Sequence, residues 1–390
     1  MSGQGTHAND DNVDSNPSMA EPTLVSNNPA DVYSQSDSTP TMPESIDVPT
    51  GGTPSTDGEQ QPTAGRMASI RGSYGSQGFS QRVTSLLLSS WSSGTNISYN
   101  SAWSKWNSWC SERAVNPLHA PLAVILDFLA DLHAKGLYYS TINLHRSAIS
   151  SCHVKVDGFQ VGEHPLVKRL MRGIYRVSPP LPRYSHTWEV DKVLTYLKSL
   201  GPNISMTLKN LTLKLTMLLA LTAAKRCSEL ARLDCRFMNF TRNESVTFVL
   251  PGLSKSKKLN VSVTFHSFPS DRLLCAVDCL NEYLVRTEQF RLSDDSDPLL
   301  LSFIKPHNSI KPCTVARWLR MVMKDAGIDT SIFKAHSTRS ASSSKVHNMG
   351  VSTADIMKTA NWSCQSTFTK FYMRNSVAKG DDFSKAVLRL

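Results

Sequence analysis

The first 65 residues contain no lysine or arginine, although they hold ten of the protein's 32 acidic side chains. All 42 Lys and Arg therefore lie in residues 66–390, which carry the other 22 acidic side chains and a formal net charge of +20. So uneven a charge favours a polyanionic partner, most often nucleic acid. A basic protein without a nucleic-acid partner is the alternative that charge alone leaves open.

The sequence also lacks the usual signs of metal sites, disulfides and membrane segments. Its eight cysteines form no Cys-x-x-Cys pair and no His/Cys spacing typical of zinc ligands. Cys275 and Cys279 lie four residues apart, which favours small buried side chains on one helix face. The longest apolar run, 211–224, is too short to span a bilayer, and no signal peptide is evident. We therefore expect no metal, no cofactor and no membrane contact in a reducing intracellular compartment.

Composition and periodicity predict a mostly α protein with a small antiparallel β-sheet. Residues 1–78, rich in Ser, Thr, Pro, Asn, Asp and Gly, predict a disordered acidic tail. Residues 79–178 predict a helical domain, and a proline-rich stretch predicts an extended linker over 179–185. Residues 186–390 predict a second helical domain, with the sheet formed around 246–265.

Two stretches predict buried helices. Tyr99, Trp103 and Trp106 are spaced by four and three residues and line one helix face, where a core role is favoured over stacking on DNA bases. The nearly all-apolar run 211–223 predicts a central helix in the second domain. Arg226 follows that helix almost directly, and its simplest interpretation is a charge that complements the helix dipole.

The chemistry-bearing residues arrive in order along the second domain. Arg226 opens the pattern Arg-x-x-Glu-Leu, and His336 and Arg339 form His-x-x-Arg. Trp362 and Tyr372 follow. A guanidinium fork matches phosphate geometry, a neutral imidazole accepts a proton, and a phenol is a weak acid that can serve as a nucleophile. A tyrosine by itself is more often a packed core residue, so the prediction of a site depends on the whole pattern.

This pattern resembles the tyrosine recombinases, a family that includes phage integrases and Cre-like enzymes. The motif HSTR…NW…FY looks most like that of the recombinases of DIRS- and Ngaro-type retrotransposons. The resemblance covers roughly residues 80–390. It implies an N-terminal helical, SAM-like core-binding domain and a C-terminal α+β catalytic domain.

The resemblance also implies the roles of individual residues. Tyr372 would be the nucleophile, Arg226 and Arg339 would bind the phosphoryl oxygens, His336 would accept the tyrosine proton, and Trp362 would donate its indole N–H to phosphate. The family's general acid is a lysine on the sheet turn, for which Lys255, Lys257 and Lys258 compete, and we favour Lys255. The candidates for DNA contacts are Lys105, Arg146, Lys168, Arg169, Arg172, Lys257 and Lys258.

Two spacings and the identity of one residue refine the resemblance. Arg339 and Trp362 are 23 positions apart, as in the Cre-like branch, and Ser340 stands where many bacterial members have a second histidine. From Trp362 to Tyr372 is ten positions, one more than the family usually has. The residue at the usual position is Phe371, which cannot attack phosphorus. Either the segment holds one extra residue or the nucleophile is misplaced.

The expected function is site-specific DNA recombination or integration through a 3′-phosphotyrosine intermediate. We expect duplex DNA as substrate, a homotetramer on two duplexes, a mobile element as the source and the nucleus as the location. One alternative is a catalytically inactive, domesticated DNA-binding protein of the same fold. Another is a type IB topoisomerase-like enzyme that relaxes DNA without exchanging partners.

Overall fold

The computed structural model describes residues 65–181, 184–242, 244–254, 258–291 and 296–372. The chain divides into two compact units, Met1–Pro180 and Leu181–Leu390. Within the described ranges, no helix is both long enough and apolar enough to cross a lipid bilayer.

The described part of the N-terminal unit is helical. Its helices are α1 (Arg66–Ser76), α2 (Gln81–Leu88), α3 (Ser93–Ser111), α4 (Leu122–Ala134), α5 (Tyr139–Ser150) and α6 (Pro165–Val177). The first of these was not expected, because the sequence predicted a disordered tail as far as residue 78. Arg66 explains the difference: its side chain is buried and donates hydrogen bonds to Asn100 on α3 (3.0 Å) and Ser151 just after α5 (3.2 Å). Contacts distant in sequence therefore order a segment whose own composition is polar.

Aromatic side chains of α3 and α4 form the core of this unit. Trp103 and Trp106 are buried, as the spacing predicted, and the ring of Trp106 lies 5.0 Å from that of Phe128. The indole N–H of Trp106 donates to the carbonyl oxygen of Pro117 at 3.0 Å. Tyr99, the third member of the predicted stripe, is only half-buried.

In its described residues, the C-terminal unit combines helices with one antiparallel sheet. Its helices are α7 (Val190–Ser199), α8 (Leu208–Ala223), α9 (Cys227–Leu230), α10 (Ala276–Thr287), α11 (Pro312–Asp325), α12 (Ser337–Asn348), α13 (Thr353–Thr359) and α14 (Gln365–Phe371). Its strands are β1 (Met238–Thr241), β2 (Ser245–Leu253) and β3 (Leu259–His266). The strand order is β1-β2-β3, with both pairs antiparallel.

The sheet turns one apolar face toward the helices. Along β2, Val246, Phe248 and Leu250 are buried at alternate positions, as the side-chain period of a strand requires. Phe248 pairs with Met238 on one side and Val263 on the other. The register shifts between Leu250 and Leu253, so this bulge precedes the turn toward β3.

Helix α8 is the central element of the unit. Almost every residue from Leu211 to Ala223 is buried, including Lys214, whose ammonium donates to the carbonyl of Gly201 at 3.2 Å. The helix ends at Ala224, which has left-handed backbone angles (φ 47°, ψ 40°). Arg226 then becomes the N-cap of α9. Arg226 therefore lies just after the end of α8 and also belongs to the start of the next helix.

Candidate active site

Glu229 connects the two arginines of the motif. Its Oε2 accepts the backbone N–H of Arg226 at 2.8 Å, and its Oε1 lies 3.4 Å from Nη1 of the Arg226 side chain. The Oε2 atom also lies 3.6 Å from Nη1 of Arg339. Glu229 is 8% exposed. One buried carboxylate therefore faces two guanidinium groups from different elements, α9 and α12.

Arg339 lies in the first turn of α12 and is 1% exposed. Its Nη2 donates to the carbonyl of Ala360, at the end of α13. The pKa of Arg339 is lowered to about 10, mainly by burial and secondly by the positive charge of Arg226. The group stays charged at neutral pH, so it provides a cation in a site that excludes water.

Some donors in the site lack acceptors. Among the described residues, Nε and Nη1 of Arg339 and Nε1 of Trp362 are buried and make no hydrogen bond. A buried donor without an acceptor costs about 1–3 kcal/mol, which an anion with several oxygens would recover. In the part of the chain described, no three His, Cys, Asp or Glu side chains are grouped so as to bind a metal ion.

Tyr372 lies beside His336. The Tyr372 hydroxyl is 3.0 Å from Nε2 of His336, and its ring centroid is 4.5 Å from that of Trp362. The guanidinium carbon of Arg339 is 4.5 Å from the Trp362 ring and 5.7 Å from the Tyr372 ring. The extra residue between Trp362 and Tyr372 thus does not carry the phenol away from His336 and Arg339.

A small apolar cluster supports this arrangement. It consists of Ala224, Ile356, Ala360, Trp362 and Phe368, with Tyr372 packed against it. Helix α14 follows Trp362, and Tyr372 caps its end, donating its backbone N–H to the Phe368 carbonyl at 2.9 Å. The short helix therefore helps to fix the position of the Tyr372 backbone.

Lys225 is a residue that the sequence analysis did not single out. It is 5% exposed, and its Nζ donates to the carbonyl of Thr359 at 2.8 Å. Burial lowers the pKa of Lys225 to about 8, an effect opposed by Glu229 and reinforced by Arg339 and Arg226. Glu229 was also missed as a site residue. Its spacing of three from Arg226 suited an N-terminal helical contact, but nothing in the sequence showed that it would reach Arg339.

Of the three candidate general acids, the structure describes only Lys258. Lys255 and Lys257 lie outside the described residues. Lys258 is exposed, its backbone N–H donates to Ser254 Oγ at 3.0 Å, and its charge also lowers the pKa of Lys225. The hairpin and α9 share a groove, lined by Arg226, Ser228, Glu229, Arg232, Leu250, Gly252, Ser254 and Val261. The β2–β3 hairpin therefore borders the motif arginine.

The basic residues proposed for the N-terminal unit lie on three helices. Lys105 on α3 and Lys168, Arg169 and Arg172 on α6 are exposed, whereas Arg146 on α5 is half-buried. Lys168 forms an ion pair with Glu163 at 2.5 Å.

Helix α11 has a basic face that the sequence analysis missed. Arg317, Arg320 and Lys324 are exposed and spaced by three and four residues, which places them on one side of the helix. The opposite side is buried through Val315, Trp318, Leu319, Val322 and Met323. Cys313, one turn before Arg317, is also exposed. The spacing was visible in the sequence, although only the burial of the apolar side shows that the cations face outward.

Three solved structures are similar to this chain. One is XerH site-specific recombinase bound to its difH substrate (13% identity, 75% of this chain and 77% of that one, TM-score 0.48). Another is a lambda integrase tetramer bound to a Holliday junction (13% identity, 82% and 79%, TM-score 0.45). A third is the Tn1549 transposon integrase in complex with transposon right-end DNA (11% identity, 84% and 99%, TM-score 0.49). No curated protein matches the chain significantly.

A family match covers much of the C-terminal unit. Residues 189–379 match the phage integrase family. The range contains the arginines, histidine, tryptophan and tyrosine of the site, as well as the whole β2–β3 hairpin. The chain therefore carries a phage integrase family domain.

Proposed function

We propose that the protein is a tyrosine-type DNA recombinase or integrase, an enzyme that breaks and rejoins DNA through a covalent 3′-phosphotyrosine intermediate. The observation that carries this proposal is the approach of the Tyr372 hydroxyl to His336 (3.0 Å), with Arg339 against the tyrosine ring. A nucleophile and a proton acceptor within hydrogen-bond reach, beside fixed positive charge, meet the geometric requirements of phosphoryl transfer.

In the proposed reaction, the Tyr372 oxygen attacks phosphorus and the bond from phosphorus to the 5′ oxygen breaks. The phenolic proton passes to Nε2 of His336, and the leaving 5′ oxygen takes a proton from a lysine of the hairpin turn. Arg226 and Arg339 bind the non-bridging oxygens, and Trp362 Nε1 donates a further hydrogen bond. Rejoining reverses these steps with a 5′ hydroxyl as the attacking group, so the energy of the broken bond is retained and no metal or cofactor is called for.

The basic surfaces provide the means of holding duplex DNA. Phosphate contacts from exposed Lys and Arg position a protein on DNA without reading sequence. In the C-terminal unit we assign such contacts to Arg317, Arg320 and Lys324 on α11. In the N-terminal unit we assign them to Lys105, Arg146, Lys168, Arg169 and Arg172, and in the hairpin turn to Lys257 and Lys258.

The biological setting is part of the same proposal. The HSTR…NW…FY spelling supports a recombinase of a DIRS- or Ngaro-type mobile element, which acts in the nucleus as a homotetramer on two duplexes. Sedimentation of the protein with duplex DNA tests the assembly, and microscopy of a tagged protein tests the location. A complex of one protomer per duplex at every protein concentration would remove the tetramer from the proposal.

Covalent trapping tests the reaction. The protein and its Tyr372→Phe form are incubated with nicked suicide duplexes drawn from a randomised pool, followed by denaturation. We expect a DNA–protein adduct from the natural sequence and none from the variant, and sequencing the trapped DNA yields the target site. Peptide mapping should then find the nucleotide on Tyr372.

Two other outcomes support competing functions. Tight binding of duplex without any adduct would favour the inactive DNA-binding protein of the same fold. An adduct accompanied by relaxation of one-site plasmid, but by no exchange between two sites, would favour a type IB topoisomerase-like enzyme.

A further inference from the structure

We propose that Ser340 and Ser344 are positioning residues that hold the backbone of Tyr372. The hydroxyl of Ser340 donates to the Tyr372 carbonyl oxygen at 3.1 Å, and the hydroxyl of Ser344 donates to the same oxygen at 2.7 Å. The two serines are four residues apart on α12, so both lie on one helix face. The helix that carries Arg339 in its first turn therefore also holds the end of α14.

The place of this carbonyl in the fold explains why it needs such support. Tyr372 is the C-cap of α14. The last carbonyl oxygens of a helix receive no hydrogen bond from an N–H of the same helix. A helix of seven residues is too short to be stable without tertiary contacts. Ser340 and Ser344 are 4% and 1% exposed, so the hydrogen bonds form in a site from which water is largely excluded. Two donors on one oxygen fix the backbone from which the phenol extends.

This support suits the unusual spacing before Tyr372. One additional residue after Trp362 would rotate a helical position by about 100° and advance it by about 1.5 Å. The Tyr372 hydroxyl nevertheless lies 3.0 Å from His336, itself the N-cap of α12. We infer that the serine pair fixes the end of α14 in the register that brings Tyr372, and not its predecessor, to the site. The small side chain of Ser340, at a position where many bacterial members of the family have histidine, leaves room for that register.

The catalytic part of this inference rests on the proposed function, so the test includes one measurement that does not require activity. The double variant Ser340→Ala/Ser344→Ala removes both donors. Ser343→Ala is the matched control, because Ser343 is equally buried on the same helix and its hydroxyl donates within α12, to the Arg339 carbonyl at 2.7 Å. Both proteins are compared with the natural sequence by hydrogen exchange of the peptide that spans residues 365–372, and by single-turnover formation of the DNA adduct at saturating duplex.

We expect exchange in residues 365–372 to quicken about tenfold or more in the double variant, since two hydrogen bonds at the helix end are removed. Adduct formation should slow by about 10–100-fold, because a nucleophile displaced by about 1 Å loses that much rate. The dissociation constant for duplex should stay within about twofold, since neither hydroxyl is among the groups that bind DNA phosphates in the proposed complex. The Ser343→Ala control should match the natural sequence in all three measurements.

Several results would overturn the inference. Unchanged exchange in the double variant would show that the serines do not hold the end of α14. Faster exchange with an unchanged cleavage rate would show that they hold it without positioning the nucleophile. If the natural sequence forms no adduct while exchange still quickens in the double variant, the proposed function fails and the serines are structural supports only.

Discussion

Glu229 is the carboxylate that both arginines of the site share. It offers one negative charge to Arg226 and Arg339, and Lys225 adds a third cation nearby. The described site is therefore left with excess positive charge, which a phosphodiester can neutralise. Removing the carboxylate should affect both arginines, although they lie on different elements.

Replacing Glu229 with Gln should destabilise the protein. Gln retains an oxygen for the Arg226 backbone N–H, but leaves the buried charge of Arg339 without a counter-ion, which should cost about 1–3 kcal/mol. Urea denaturation at neutral pH measures the change in the free energy of unfolding. Glu288→Gln, an exposed residue of the same unit, is the control and should change it by less than about 0.5 kcal/mol. A loss no larger than that of the control would mean that Glu229 does not compensate Arg339.

Lys225 should make DNA binding depend on pH. Its pKa of about 8 lies well below the usual value for lysine, and a bound phosphodiester would stabilise the charged form and raise that pKa. Binding at a pH just above 8 should therefore take up a proton, and affinity should fall as the pH rises through about 8. Calorimetric titrations of random-sequence duplex in two buffers of different ionisation enthalpy measure the uptake.

The same titrations with Lys225→Met should lose this proton uptake. Lys209→Met, which removes an exposed lysine from the first turn of α8 in the same unit, is the control and should retain it. Equal uptake by the two variants would assign the proton to another group.

For single residues, the sequence predicted the types and order of the site residues better than it predicted their contacts in the fold. Arg226, His336, Arg339, Trp362 and Tyr372 were named from motif spacing, and the structure brings Tyr372 to His336 and Arg339 to Trp362. Their catalytic roles remain proposals. The sequence did not identify four residues of the site. Two of them, Lys225 and Glu229, make contacts with segments more than about a hundred residues away. The other two, Ser340 and Ser344, depend on which face of α12 is buried.

At the scale of elements, the end of α8 stores backbone strain. Ala224 adopts φ 47°, a left-handed conformation that is costly for a residue with a Cβ atom. Ala224→Gly should stabilise the protein by about 0.5–1 kcal/mol, less the packing energy of the methyl group that is removed. Urea denaturation measures this. Ala220→Gly, a buried position within α8, should instead destabilise by about 1 kcal/mol or more.

If both substitutions destabilise to the same extent, the conformation of Ala224 carries no strain. The residue joins α8 to Arg226 and α9, whose Glu229 lies 3.6 Å from Arg339 on α12.

The basic face of α11 should contribute to DNA affinity. Removing one cation that binds a phosphate should reduce the slope of log affinity against log salt by about 0.9. Arg317→Ala and Arg320→Ala, singly and together, are compared by fluorescence titration of duplex at several salt concentrations. Arg272→Ala removes an arginine with 80% side-chain exposure from another element and serves as the control. Slopes that match the control would exclude α11 from the DNA-binding surface.

Long periodic elements were predicted well, and short ones were not. The central helix α8 and strands β2 and β3 followed from their apolar patterns. Strand β1 has four residues, too few for a periodic signal, and depends on pairing with β2. Helix α1 has a polar sequence and is ordered by Arg66, so its contacts outweigh its composition.

At the scale of the whole molecule, the charge is divided between an acidic N-terminal sequence and a basic remainder. Removing residues 1–64 would raise the formal net charge from +10 to +20 without deleting any Lys or Arg. We expect tighter and faster binding to duplex at low salt, with the difference shrinking as the salt concentration approaches about 1 M. Stopped-flow measurements compare the two forms. Equal association rates at low salt would show that the acidic sequence exerts no electrostatic effect on DNA binding.

Cys313 provides a practical route to observing this molecule at work. It is the one exposed cysteine of the eight, and it lies a single turn before Arg317 on α11. A maleimide dye should therefore react there first, without any engineered residue. Its emission would report, in real time and at the level of single complexes, whether α11 meets DNA before or after the strand is cut.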